Sequence, residues 1–114
     1  MAVDIWSYRE TVVDLDLDLS GFKVEAEDGE IGKVDEAAYA AGADSIIVDT
    51  GPWILGKKVM LPVGTIERID LEERKLYVDR TKEEIKNAPE YDSSGYAQQE
   101  YREHLGGYYK DLYT

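Results

Sequence analysis

Gly21-Phe22-Lys23-Val24-Glu25-Ala26-Glu27-Asp28-Gly29-Glu30-Ile31-Gly32-Lys33-Val34 is the stretch on which the fold turns. Phe22 to Ala26 alternates apolar and charged residues with period two, the pattern of a half-buried strand. Glu27-Asp28-Gly29-Glu30 reads as its turn, because Asp-Gly tolerates the positive φ of tight hairpins. A return strand begins at Ile31 and ends between Val34 and Ala38. Gly29 and Gly32 relax the backbone at the turn and just after it, where a strand must bend for a barrel to close.

Downstream, strand signals recur at short spacing. Ser45 to Thr50 is a β-branched run with the look of a buried strand. Lys58-Val59-Met60-Leu61 is another, stopped by Pro62 at a position where the ladder needs no donor. The loop between them, Gly51 to Lys57, displays Trp53, Ile54 and Leu55, large apolar groups that loops usually avoid. Gly64 to Leu71 and Lys75 to Arg80 form a last hairpin around Glu72-Glu73-Arg74, with Ile66, Ile69, Leu71, Leu76 and Val78 supplying apolar faces. Six short strands with regular turn signals predict a small barrel or sandwich. About 60 residues make a marginal core on their own, so the extensions, or a second copy, are expected to cover some of it.

Those extensions differ in character. Residues 1–20 carry five acids against Arg9 alone, and Val13 to Leu19 alternates leucine with aspartate, so the segment is an edge strand or an extended arm. Thr81-Lys82-Glu83-Glu84 is a capping box opening a short helix that must end before Pro89. Beyond it Ala97, Tyr101, Leu105, Tyr108 and Leu112 recur at helical spacing, a stripe interrupted by Gly106-Gly107. Six of the nine tyrosines lie at or after position 91, which argues for a tail that docks, on its own barrel or on another chain.

The ordered series carries a resemblance. Gly21-Phe22-Lys23-Val24, then Asp28-Gly29-Glu30-Ile31-Gly32-Lys33-Val34, then Ile47-Val48-Asp49, then Lys58-Val59-Met60-Leu61-Pro62 and a closing hairpin through Val78 strongly resemble a PRC-barrel domain over roughly residues 20–82. The family is named for the H subunit of bacterial photosynthetic reaction centres and includes the C-terminal half of a ribosome maturation factor. The chain lacks that subunit's membrane helix and that factor's RNA-linked domain, and looks more like the stand-alone bacterial members. The resemblance implies a mainly β protein: a PRC-type barrel over residues 21–82, an N-terminal arm over 1–20 and a helical, tyrosine-rich extension over 83–114. It also implies a protein-docking module, not an enzyme.

The remaining chemistry agrees with that expectation. With 25 acidic and 13 basic residues the net charge is −12, which repels phosphate backbones and argues against direct nucleic-acid binding. No run of about 18 apolar residues spans a membrane. No basic n-region precedes an apolar core, and cysteine is absent, so the expected location is the cytoplasm. Asp14, Asp16 and Asp18, with Glu25 eleven residues after Asp14, mimic a calcium loop, but Leu19 stands where that loop needs glycine. His104 is the lone histidine and has no partners for a metal site or a triad. No serine or threonine has a base at a telling spacing, and Gly51 to Lys58 is no phosphate loop, since a strand follows it. No catalytic, cofactor or metal set emerges. The interaction candidates are Trp53, Ile54 and Leu55 in the loop, Trp6 and Tyr8 near the start, and Tyr101, Leu105 and Tyr108 on the tail. They serve self-packing, a homodimer or a heterologous protein partner. Two other roles fit the resemblance or the barrel shape: a ribosome-biogenesis factor acting through a ribosomal protein, and a small-ligand binder in stress physiology.

Overall fold

In the computed structural model of the chain, the described residues are 5–6, 18–35, 44–51, 58–89 and 98–113, with 98 and 99 described in backbone only. The strands are β1 (Lys23–Ala26), β2 (Gly29–Val34), β3 (Ser45–Asp49), β4 (Lys58–Pro62), β5 (Ile66–Asp70) and β6 (Lys75–Val78). A 3-10 turn at Val63–Thr65 joins β4 to β5, and two helices follow, α1 (Lys82–Lys86) and α2 (Gln98–Leu112). The sheet order is β4-β3-β2-β1-β6-β5, curled into a half-barrel. Neighbours are antiparallel except β1 and β6, which run parallel. The mainly β, six-stranded architecture, the short helix and the helical tail are those expected from the sequence. Among the described residues no ladder joins β4 to β5, which are the two edges of the sheet.

Register explains which residues form the core. One lateral row crosses every strand: Lys58, Asp49, Lys33, Lys23, Lys75, Asp70. Side chains alternate between faces along a strand, so the rows on either side of it face inward. Val59, Val48 and Val34 form one, and Gly32, Val24, Leu76 and Ile69 the other. Val24, Val48 and Leu76 are fully buried. Between Val24 and Glu25 the β1–β2 pairing slips by one residue. That bulge inserts Ile31 and turns it inward beside the Gly32 position, and Ile31 joins the core at 1 % exposure. A second slip leaves Glu67 as the extra residue of β5.

Two expectations need adjusting. The return strand starts at Gly29 and runs to Val34, the Asp35 N–H still donates to the Ile47 carbonyl at 2.9 Å, and residues 36–38 lie outside the described set. Leu71 is not on an apolar face: it sits in the β5–β6 turn and is exposed. The capping box forms as read, with Thr81 accepting from the Glu84 N–H and the Glu84 carboxylate accepting from the Thr81 N–H, and α1 stops at Lys86.

The glycine pair does not interrupt the tail helix, because α2 runs unbroken through both. A Cβ on Gly106 would stand 3.1 Å from Trp6 Nε1 and 3.4 Å from Trp6 Cζ2, so this glycine makes room for the indole. Gly107 has nothing within 4 Å. Gly107→Ala is therefore expected to stabilise the protein by about 0.5–1 kcal/mol through the lower entropy of the unfolded chain. Gly106→Ala is expected to gain nothing, since Trp6 must give way. Thermal melts of the two variants test this, and equal stabilisation by both would remove the Trp6 contact as the reason for Gly106.

Candidate interaction surface

The tail packs on its own barrel. Leu105 and Tyr109, one helical turn apart, are fully buried in one core cluster with Ile5, Leu19, Ile66, Leu76 and Ile85. Tyr101, Tyr108 and Leu112 are half-buried against that cluster. Polar contacts fix the helix along its length. Arg102 donates to the Asp44 carboxylate at 2.8 Å, and its guanidinium stacks 4.1 Å over the Trp6 ring. Tyr108 donates its hydroxyl to the Glu84 carbonyl at 2.5 Å. Arg80 donates to the Leu112 carbonyl at 3.3 Å and lies 4.3 Å over the Tyr113 ring, and Tyr113 donates to the Asp79 carboxylate. Burial first, and then the Glu84 carboxylate, raise the Tyr108 pKa.

Four of the eight sequence candidates are thus placed. Trp6, Tyr101 and Tyr108 are half-buried and spend contact area within the chain. Leu105 has no exposed surface to offer a partner. Trp53, Ile54, Leu55 and Tyr8 lie outside the described residues. The helical stripe selected Tyr108 and passed over Tyr109, the more deeply buried of the two. The signal was available, since Tyr109 stands four residues after Leu105.

The strand edges are the other candidate. In the β3–β4 pair, the Val63 N–H donates to the Asp44 carbonyl at 3.0 Å. Antiparallel ladders alternate bonded and non-bonded pairs, so Leu61 and Val59 bond to β3. Pro62, Met60 and Lys58 therefore turn their main-chain groups away from it. Pro62 thus sits where no donor is needed, as its place in the sequence implied. Met60 presents an N–H and a C=O at the sheet edge, with no partner among the described residues. On β5 the same alternation, set by the Asp79 N–H donating to the Thr65 carbonyl, turns Ile69 outward. The two edges differ. β5 is blunted by its bulge at Glu67 and by exposed Glu67 and Arg68, devices that discourage strand addition. β4 has five consecutive pairs without a slip and carries Val59 and Met60, both half-buried.

The acidic triplet is visible only at its end. Asp18 accepts from the Ser20 hydroxyl at 2.6 Å and the Ser20 N–H at 3.0 Å, and these bonds hold its carboxyl below the usual range. Asp14 and Asp16 lie outside the described residues. His104 is exposed on α2. Among the described residues no three His, Asp or Glu side chains gather as a metal-binding group, and no helix is long and apolar enough to cross a membrane. No protein-family model and no curated protein sequence matches the chain.

Proposed function

We propose that this chain is a non-enzymatic protein-interaction module of the PRC-barrel type, which takes an extended segment of a partner, or of a second copy, onto the edge of β4 that no described strand covers. The observation that carries the reading is the Met60 edge: an unslipped, bulge-free strand with an outward N–H and C=O and an apolar neighbour in Val59. Strand addition of this kind draws affinity from main-chain bonds and specificity from alternate side chains. The order and positions of the six strands, which match the series of motifs resembling the family, support the family reading.

Met60→Pro is the test. It deletes the outward donor without removing a β3 ladder bond, so the fold is expected to survive with a modest loss of melting temperature. Sedimentation and affinity capture from native lysate are compared for wild type, Met60→Pro and the Trp53→Ala, Leu55→Ala double variant. The expected result is that Met60→Pro loses the wild-type partner or self-association while staying folded. Identical partners and masses for wild type and Met60→Pro would sink the edge reading.

A further inference from the structure

Lys33, Lys23 and Lys75 stand directly opposite one another on β2, β1 and β6. With strands about 4.8 Å apart, the three stems rise from a line about 10 Å long. Like charges directly opposite destabilise a sheet, yet this chain sets three of its 13 basic residues in adjacent places of one row. Their compensation is uneven. Lys75 pairs with Glu25 at 3.6 Å. Asp49 is the cross-strand neighbour of Lys33, and its carboxylate accepts the Gly51 N–H at 3.0 Å. Lys23 and Lys33 are exposed and make no ion pair within 4 Å among the described residues. Both line an open cleft of about 290 Å³ with Ile31, Gly32 and the turn at residues 49–51.

We infer that this lysine ridge is a docking site for an acidic segment of a partner protein, one with carboxylates at alternate positions. Alternate residues of an extended peptide lie about 7 Å apart, a span that two flexible lysine stems reach together. The cleft volume sits at the low end for ligand sites and suits one or two carboxylate side chains. Glu30 and Asp49 also line it. They disfavour a uniformly charged polyanion, while a peptide can place its neutral residues against them. A local rule broken and only partly compensated within the chain is the kind of exception that functional sites carry. The inference rests on the interaction-module reading and adds the chemistry of the partner.

The probe is a fluorescent heptapeptide with glutamate at alternate positions, titrated at low ionic strength, about 50 mM, where surface ion pairs are least screened. Wild type is expected to bind it, and to ignore the same peptide with glutamine for glutamate. Lys23→Gln, Lys33→Gln is expected to weaken binding about tenfold, the scale of two surface ion pairs, whereas Lys86→Gln on α1 leaves it unchanged. The melting temperature of the double variant is expected to hold or rise, because a like-charge pair has been removed. The inference is overturned if wild type fails to bind, if the double variant binds equally well or melts lower, or if a single-stranded oligonucleotide outcompetes the peptide at the same lysines. Met60→Pro, run beside it, separates the two ideas. Loss of peptide binding confined to the lysine variant upholds the ridge whatever happens at the β4 edge. Peptide binding unchanged in the lysine variant, with partner capture lost only in Met60→Pro, upholds the edge alone and overturns the ridge.

Discussion

Gly32→Ala is expected to leave little folded protein at room temperature. An added Cβ would lie 2.0 Å from the Asp49 carbonyl oxygen and 2.9 Å from both the Asp49 carbonyl carbon and Thr50 Cα. All three are main-chain atoms of β3 and the residue following it, so no side chain can rotate out of the way. Gly32 also has φ +149°, a conformation that side chains disfavour. Backbone strain of about 1–3 kcal/mol and overpacking of about 1–3 kcal/mol together approach the 5–15 kcal/mol that holds a typical domain folded. Gly29→Ala is the matched comparison. Its φ is +143°, but the nearest atoms are Lys82 Cδ at 3.6 Å and Nζ at 3.7 Å, the end of a flexible side chain. It therefore carries the strain without the collision. Urea unfolding followed by circular dichroism reads both, and a Gly32→Ala midpoint equal to that of Gly29→Ala would show that the β2–β3 approach is looser than described.

The same glycine shows what was legible in the sequence. Phe22 to Val34 announced two strands and a turn because its alternation and its Asp-Gly step are local signals. Thr81 and Glu84 announced a helix start for the same reason, since both halves of a capping box lie within four residues. The bulge at Ile31 was not announced. Ile31 and Val34 face the core three residues apart, a spacing that breaks the strand period and looks helical until the slip is known. Gly106 was misread because a glycine pair usually ends a helix, and its reason is the distant Trp6. The charged row is the furthest from sequence. Lys23 meets Lys75 only through the parallel β1–β6 pairing, which joins strands 52 positions apart (75 − 23) and leaves no periodic trace. Register across non-consecutive strands is a property of the fold, and so was the ridge. The edge at Met60 was half legible: Pro62 fixed which parity of β4 faces away from the ladder, but not that β4 is the last of the described strands on its side.

Tyr109→Ala is expected to cost about 3–5 kcal/mol, the scale for deleting a buried aromatic ring, and to free α2 from the half-barrel. The ring is fully buried in the main core and meets Tyr108 edge to face, with centroids 5.2 Å apart and planes at 84°. Its hydroxyl has no hydrogen-bond partner among the described residues. An unpartnered buried hydroxyl costs about 1–3 kcal/mol, so Tyr109→Phe keeps the ring, discards that cost and is expected to melt at or above wild type. Burial first, then the neighbouring tyrosines, push the Tyr109 pKa far up. In the unfolded chain it ionises near its ordinary value of about 10. Above that pH the folded state retains a proton that the unfolded state releases, and stability falls by up to about 1.4 kcal/mol per pH unit from this group. Below it the contribution is fully present. Tyr109→Phe removes this alkaline decline, while the raised Tyr108 keeps a shallower one in both proteins. Melting temperatures measured from about pH 8 to about pH 11 separate the two effects. A Tyr109→Phe protein that melts well below wild type at neutral pH would mean that the hydroxyl is bonded after all, and that α2 is held by a polar contact as well as by its apolar stripe.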